Sequence, residues 1–593
     1  MKELTGGEII VEQLIDRKVP YFFGLCGHGI VGFMDAALDR RDRVGTVSVH
    51  NEQIAGFAAD AYYRITRQPC ATFTSCGPGS INIQMAVANA FFDSSAMFVV
   101  TGNVPTQQFN RGPFQELGRY YQADFPSAMR PYVKRSYQAT RAEMLPHMIR
   151  HAYSTMLNGR PGPVHLDVPF NVFSETSAQA LETGERWRSE IVPEFTADDE
   201  TADRALTLLL SGERPLILCG NGALQSQCSA ELAEFAALLR VPVATTPQGK
   251  GLLPESEPLY LGPTGRDGVY AANRAARASD VILAIGTRFG DRSTSSWREG
   301  ITHSVPPTRL IHADIDPNQI GHNYPAELGL VAEAKALLRQ LTRLARARKN
   351  LDPVRRGAWL ETALTWRRNW ENDIKVAEDD NTPMHPAHVV AGLAKAIPDD
   401  AVVLSDIGAH HSWMVQQWPI RQGGCFLQSG GSATMGFGVG GAIGAQLARP
   451  ESPTIAVVGD GGMLMHASAI ATAVEYQLPI VWVVWNNCGY VSIRDLQKGF
   501  LGREFKTRFR NEKSGELQSV DFAALAISMG AQGRRVERAA DLPAAMEAAI
   551  RSGKPTVLDV QVSADAGRLT AASWDMTPIQ GPAPNYDPDP WQR

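Results

Sequence analysis

No Cys-x-x-Cys pair occurs in this chain, and its seven cysteines (Cys26, Cys70, Cys76, Cys219, Cys228, Cys425 and Cys488) are odd in number and widely spaced. That pattern excludes a disulfide framework and a cysteine zinc site. No apolar run approaches the ~18 residues that a membrane-spanning helix needs, so no membrane partner is expected. The N-terminus, MKELTGGEIIVEQLIDRKVPYFFG, opens on an amphipathic helical pattern and has no basic stretch leading into an apolar one. No signal peptide is expected, and a reduced cytoplasm is the expected setting. Positive charge is not concentrated anywhere: the net charge is -5 with the signs mixed, which argues against nucleic acid as a partner. No G-x-G-x-x-G directly follows a strand pattern and opens a helix, so a nicotinamide dehydrogenase is not indicated.

What remains is a soluble-type composition, 44% hydrophobic and 20% charged, with 53 Gly and 37 Pro spread along 593 residues. A chain of that length divides into several domains. Short apolar runs alternate with helical patterns in three blocks, which predicts an α/β protein with three doubly wound parallel sheets. Residues 1–181 carry VPYFFGL, VGTVSV, CATFTS, AMFVVTG and GPVHLDVP. Residues 201–345 carry PLILCGNG, PVATT, DVILAIGTRF and RLIHADID, and residues 386–565 carry AVVLSDIG, TIAVVGDGG, PIVWVVWNN and TVLDVQV. The intervening 182–200 and 346–385 read as connectors, and 566–593, rich in Pro and Asp, as a tail over a surface.

The stretch VVGDGGMLMHASAIATAVEYQLPIVWVVWNN ends one strand in Asp460 and the next in Asn486-Asn487. In a parallel sheet both side chains then project over the carboxyl edge, where ligands bind. A carboxylate, an amide oxygen and a backbone carbonyl suit Mg²⁺, which completes its shell with phosphate and water. Gly461 and Gly462 let a phosphate approach the backbone, and the following helix turns its N–H groups toward it. Each piece alone is also an ordinary turn or cap; the spacing makes the pair specific.

That spacing resembles the GDG…NN motif of the thiamine-diphosphate enzymes, and the resemblance covers nearly the whole chain and is nearest to the acetolactate-synthase-like group. It implies a pyrimidine-binding domain, a central domain and a diphosphate-binding domain. Mg²⁺ would be held by Asp460, Asn487 and the Gly489 carbonyl. SDIGAHHSW would place Gly408, Ala409 and His410 at the diphosphate, and GSATMGFGVGGAIGA would place Met435 under the cofactor's bend and the Ala433 carbonyl at its aminopyrimidine. In SVHNEQIAGFAADAYYR, Glu52 matches the carboxylic acid that activates the cofactor, a task suited to an apolar, water-poor site. Taken alone, a Glu in this position is most often a first-turn charge on a helix dipole, and the match to the family's segment reverses that reading. SCGPGSIN would bring Pro78 and Asn82 to the pyrimidine ring. The family builds its site from two subunits, so a homodimer or homotetramer with interfacial active sites is implied.

Departures from the group's pattern bear on the substrate. The turn GLCGHGIVGF carries His28 where acetolactate synthases have Pro-Gly-Gly, and it is similar to relatives that hydrolyse cyclic 1,2-diones. His28 is then an acid–base group near neutral pH, or else a solvent-exposed turn residue. RGPFQE keeps the group's Gln, Gln115. NNCGYVSIRDLQ puts Ile493 and Arg494 near the position where acetolactate synthases carry a substrate-selecting Trp. GTRFGDRST and IHADIDPNQIGHN resemble the flavin-domain pattern, with Gly290 in place of an Asp, so Arg288, Asp314 and Asp316 are expected at a structural FAD; the alternative is a vestigial domain. The expected reaction makes or breaks a C–C bond beside a carbonyl in a 2-oxo acid or 1,2-dicarbonyl compound, as a carboligase or lyase. Hydrolysis of a cyclic dione (cyclohexane-1,2-dione type) and acetyl transfer to phosphate are the alternatives.

Overall fold

The computed structural model describes residues 3–115, 124–179, 181–184, 187, 195–348, 357–375 and 381–567. The reading of 568–593 as a draped tail lies outside these residues. The first block holds β1 (Leu4–Thr5), β2 (Tyr21–Gly24), β3 (Gly45–Ser48), β4 (Ala71–Thr74), β5 (Phe98–Asn103), β6 (Arg135–Gln138), β7 (Val164–Pro169) and β8 (Thr176–Ser177). The central block holds β9 (Pro215–Cys219), β10 (Val243–Thr245), β11 (Tyr260–Pro263), β12 (Val281–Ile285), β13 (Arg309–Asp314) and β14 (Leu328–Val331). The last holds β15 (Val402–Ser405), β16 (Phe426–Gln428), β17 (Thr454–Gly459), β18 (Ile480–Asn486), β19 (Gln532–Val536) and β20 (Thr556–Gln561).

These strands form three six-stranded parallel sheets, plus a two-residue antiparallel pairing of β1 with β8. Central strands such as β17 and β18 are buried on both faces, which is why they read as unbroken apolar runs. Within the sheets, the hydrophobic pattern missed β6, β11, β14, β16 and β19, and every one of them is a sheet edge. Of these, β6, β14 and β19 are partly exposed, so their sequences need not be apolar, whereas β11 and β16 are buried but only four and three residues long.

Strand order separates the blocks. Numbered from one to six within each sheet, the first and last both run 2-1-3-4-6-5, with β3-β2-β4-β5-β7-β6 matching β16-β15-β17-β18-β20-β19. The central sheet runs 3-2-1-4-5-6, as β11-β10-β9-β12-β13-β14. All three sheets are doubly wound but not alike: the central sheet has the dinucleotide-binding order, the outer two the other doubly wound order. In each sheet the crossover direction reverses beside the first strand, and the crevice at the carboxyl ends there is where ligands bind.

The first and last blocks share one hydrophobic core in which Phe57, Ala58 and Ala61 meet Phe437, Val439 and Ile443. The helices Glu52–Thr66 and Phe437–Ala448 approach so closely that a Cβ on Gly444 would lie 1.8 Å from the Ala58 carbonyl oxygen. The predicted connector around 357–373 is a helix packed on the central sheet; Trp359 donates its Nε1–H to the Pro215 carbonyl at 2.9 Å. All seven cysteines are free thiols. Among the described residues, no helix is long and apolar enough to cross a membrane.

Candidate active site

In the last sheet the reversal lies between β15 and β17, and the two turns beyond them are those singled out from the sequence. After β15 come Asp406, Gly408 and the helix Ala409–Gln417; after β17 comes the helix Asp460–His466. The single helix expected between β17 and β18 is in two pieces, Asp460–His466 and Ala469–Glu475. Asp460 Oδ2 accepts the backbone N–H of Asn487 at 3.1 Å and that of Gly489 at 3.0 Å, and Oδ1 accepts the Gly461 N–H at 2.7 Å. Three of the expected ligand positions are thus within one hydrogen-bond shell. Burial raises the Asp460 carboxyl to about 6 despite those donors. A divalent cation would offset that desolvation, so the set fits Mg²⁺.

The two asparagines divide the work. Asn486 Nδ2 donates to Asp559 Oδ1 at 2.9 Å and to the Val520 carbonyl at 3.0 Å, so it holds the sheet together. No hydrogen bond engages the Asn487 amide among the described residues, which leaves it available as a ligand. Gly489 is at φ +153, and a Cβ there would lie 2.3 Å from the Thr507 carbonyl oxygen, so no other residue fits this position.

Polar groups around this turn fit a diphosphate. His410 is buried, its Nε2 has no hydrogen-bond partner among the described residues, and burial lowers its pKa to about 4. A neutral imidazole facing the Gly408 and Gly459 backbones can donate Nε2–H to a phosphate oxygen. Ala409 and Gly462 lie in the first turns of the helices beside it, and the Gly461 N–H is turned to Asp460. Met435 reaches over Gly461, where a Cβ would be 3.3 Å from its Cε, so the bending segment borders the diphosphate turn. Ala433 holds φ +53. Asp406, absent from the sequence reading, fixes this segment by accepting the N–H of Gly436 at 2.9 Å and of Gly438 at 3.1 Å. Burial raises its carboxyl to about 6. Its place one residue past β15 was the available signal.

The first sheet reverses between β2 and β4, which gathers a second cluster. Glu52 opens its helix behind the Asn51 cap. Asn82 Nδ2 donates to Glu52 Oε2 at 2.6 Å, and Asn82 Oδ1 accepts from Gln53 Nε2 at 2.9 Å. Glu52 is half-buried in the single chain, less enclosed than an acid in a water-poor site, and Pro78 is exposed beside it. His28 is exposed, with Nε2 3.5 Å from Cys76 Sγ, and the thiol is also 3.8 Å from Gln115 Oε1. Burial raises the Cys76 thiol. The segment Cys76–Asn82 therefore joins His28 and Gln115 at one end to Glu52 at the other. Cys76 was missed because only the folded switch point brings two turns 48 residues apart into contact.

The two sheets face each other. His466 Nε2 lies 3.1 Å from Gln53 Oε1, Ser48 donates its N–H to Tyr476 Oη at 2.7 Å, and His50 pairs with Glu475 at 2.9 Å. Ile493 is 49% exposed, whereas Arg494 is buried and bound to Asp495, Asp565 and the Ala564 carbonyl. Arg494 is thus a structural anchor, which corrects its placement as a substrate neighbour.

A cavity of about 1000 Å³ opens at the reversal of the central sheet, between β9 and β12. Gly222, Gly286, Arg288 and Asp314 line it, together with Gly430, Gly431 and Ala433 from the last block. Its size and glycine-lined strand ends fit a dinucleotide. Asp316 follows beside this wall, where its carboxylate caps the turn Pro317–Gln319 by accepting the Asn318 N–H at 3.0 Å.

Comparison with known proteins gives three family matches: thiamine pyrophosphate enzyme N-terminal TPP binding domain over residues 4–123, central domain over 202–341, and C-terminal TPP binding domain over 406–560. A probable acetolactate synthase large subunit of Methanococcus aeolicus is 32% identical, covering 94% of this chain and 92% of its own. The acetolactate synthase large subunit of Haemophilus influenzae is 30% identical, covering 95% of each. The acetolactate synthase isozyme 3 large subunit of Escherichia coli is 29% identical, again covering 95% of each.

Proposed function

We propose, for a chain that belongs to the thiamine pyrophosphate enzymes of the acetolactate-synthase-like group, that it makes or breaks a C–C bond beside the carbonyl of a 2-oxo acid or 1,2-dicarbonyl compound. The carrying observation is the Asp460 hydrogen-bond shell around Asn487 and Gly489 at the switch point of the last sheet. Thiamine diphosphate, when bound, supplies the electron sink that such a reaction requires. Asp460, Asn487 and the Gly489 carbonyl would hold Mg²⁺, with Gly408, Ala409, His410, Gly461 and Gly462 around the diphosphate. Met435 and the Ala433 carbonyl would set the cofactor's shape, and Pro78 and Asn82 would border its pyrimidine. Glu52 would hold a proton at its carboxyl against that ring, fixed in place by Asn82.

That role asks for a drier setting than the single chain gives Glu52. We read the protein as a homodimer or homotetramer in which one subunit's Glu52 serves the other's diphosphate site. Ile81 and Met85, flanking Asn82, and Leu464 and Met465, following Asp460, support this: they are 54%, 50%, 44% and 49% exposed beside the site. Light scattering on the purified protein tests it.

The contact of His28 with Cys76 beside Gln115 favours one specific alternative, hydrolytic opening of a cyclic 1,2-dione. An imidazole at that turn can take a proton from water or deliver one to a carbonyl oxygen. Product analysis with thiamine diphosphate and Mg²⁺, comparing pyruvate with cyclohexane-1,2-dione, separates carboligation from hydrolysis, and a phosphate requirement would reveal acetyl transfer. FAD in the central cavity, held at Arg288 and Asp314, is the reading its wall supports. An absorbance scan of the purified protein tests that.

A further inference from the structure

A side chamber of about 320 Å³ adjoins the large central cavity and shares with it the walls formed by Arg67, Asp93, Asn221, Gln225 and Gln248. Its remaining charged walls are Arg64 and Arg449. The charges in it do not balance. Asp93 is fully committed: it accepts from Arg64 Nη2 at 2.9 Å, from the Gly431 N–H at 2.6 Å and from the Gly430 N–H at 3.2 Å. Arg64 is likewise bound on both sides by Asp60 and Asp93.

Arg67 and Arg449 are left without a carboxylate among the described residues. Among the described residues Arg67 reaches only neutral groups, Gln225 Oε1 at 3.5 Å, the Leu224 carbonyl at 3.3 Å and the face of the Tyr63 ring, and its buried Nε has no hydrogen-bond partner. Arg449 touches Cys425 Sγ at 3.0 Å through Nη1. Burial without a counter-charge lowers the Arg67 guanidinium to about 10. A guanidinium stays protonated at neutral pH and is costly to enclose unpaired. A fork of N–H groups facing a cavity is also the geometry that recognises phosphate or carboxylate bidentately.

The geometry points to the side chamber as an anion site in which Arg67 and Arg449 bind a phosphate group. This goes beyond the thiamine reading and stands on different residues. The phosphate could belong to a dinucleotide extending from the large cavity or to a free small anion, and the two sources are separable by experiment.

Arg67 sits at the C-cap of its helix with φ +62, a conformation that glycine adopts without strain, so Arg67→Gly removes the charge and keeps the backbone. The test is calorimetric titration of inorganic phosphate into wild type and Arg67→Gly, both saturated with thiamine diphosphate and Mg²⁺ so that the diphosphate site is closed to it. FAD affinity of the two proteins is measured alongside. The expected result is at least a tenfold loss in Arg67→Gly of phosphate affinity, FAD affinity, or both. Phosphate binding that disappears once FAD is loaded assigns the site to the dinucleotide; binding that persists assigns it to a free anion. Equal phosphate and FAD affinities in the two proteins, or neither ligand binding wild type, overturn the proposal.

Discussion

Asn82 donates its side-chain N–H to Glu52 at 2.6 Å, so the carboxylate at the start of one helix is aimed by an amide from the short helix Pro78–Asn82 after a different strand. Asn82 is in turn gripped by Gln53, the residue next to Glu52. The amide that aims the acid is therefore itself held in place before any ligand arrives.

Replacing Glu52 by Gln keeps the shape and the contact with Asn82 and removes the transferable proton. Thiamine diphosphate affinity should stay within a few-fold of wild type while kcat falls by about 10²-fold or more, the usual scale for a general acid or base. Calorimetry and steady-state kinetics read the two separately. Turnover at the wild-type level in this variant would remove Glu52 from the chemistry.

No hydrogen bond among the described residues engages the Asn487 side chain, so Asn487→Ala should cost little stability and much cofactor retention. Dialysis against a chelator should release thiamine diphosphate from wild type, and Mg²⁺ should restore binding there but at least tenfold more weakly in the variant. Equal restoration in both proteins would contradict the assignment.

His28→Ala leaves the Asp460 shell untouched, since its contacts are with Cys76 and Phe114. Cofactor affinity should be unchanged and the ratio of hydrolysed to ligated product should shift. An identical product mixture across a panel of 2-oxo acids and diones would make His28 a bystander.

Gly444 carries the contact between the first and last blocks. In Gly444→Ala the new methyl would collide with the Ala58 carbonyl, forcing the two helices apart at a cost of about 1–3 kcal/mol or more. A lowered melting temperature is expected; an unchanged one would mean that the helices pack differently.

Asp167 and His165 share the hydroxyl of Thr101, at 3.0 and 2.8 Å. Burial raises Asp167 to about 6 and lowers His165 to about 3. The folded state therefore holds the Asp167 proton better than the unfolded chain, and its stabilising contribution is lost as pH rises from about 4 to 6. His165 acts oppositely, being stabilising above its unfolded value of 6.5 and losing that contribution as pH falls. Asp167→Asn removes only the first slope. The melting temperature of the variant minus that of wild type should be more positive at pH 7.5 than at pH 4.5; a difference independent of pH would refute the shift.

Sheet centres and motif residues were legible in the sequence because burial on both faces, or a ligand's demand for a particular atom, acts on each residue separately. Thus β17 and β18 could be read directly from the chain, while Asp460 and Asn487 stood out by their spacing and Glu52 by the resemblance of its segment to the family motif. The edge strands could not, because β19 is held by its ladder to β20 and carries arginines on its open side. Nor could Arg494 be recognised as an anchor, or Asp316 as a cap, since both lie in stretches that match a family pattern while their partners are set by the fold.

By itself the sequence determined three parallel α/β sheets and the chemical kinds of side chain at their carboxyl ends, because alternating apolar runs and strand-end residues are local properties. Only the tertiary structure decided which ends meet. Strand order places Cys76 against His28 and Arg67 between two cavities, and strand order arises from packing between segments far apart along the chain.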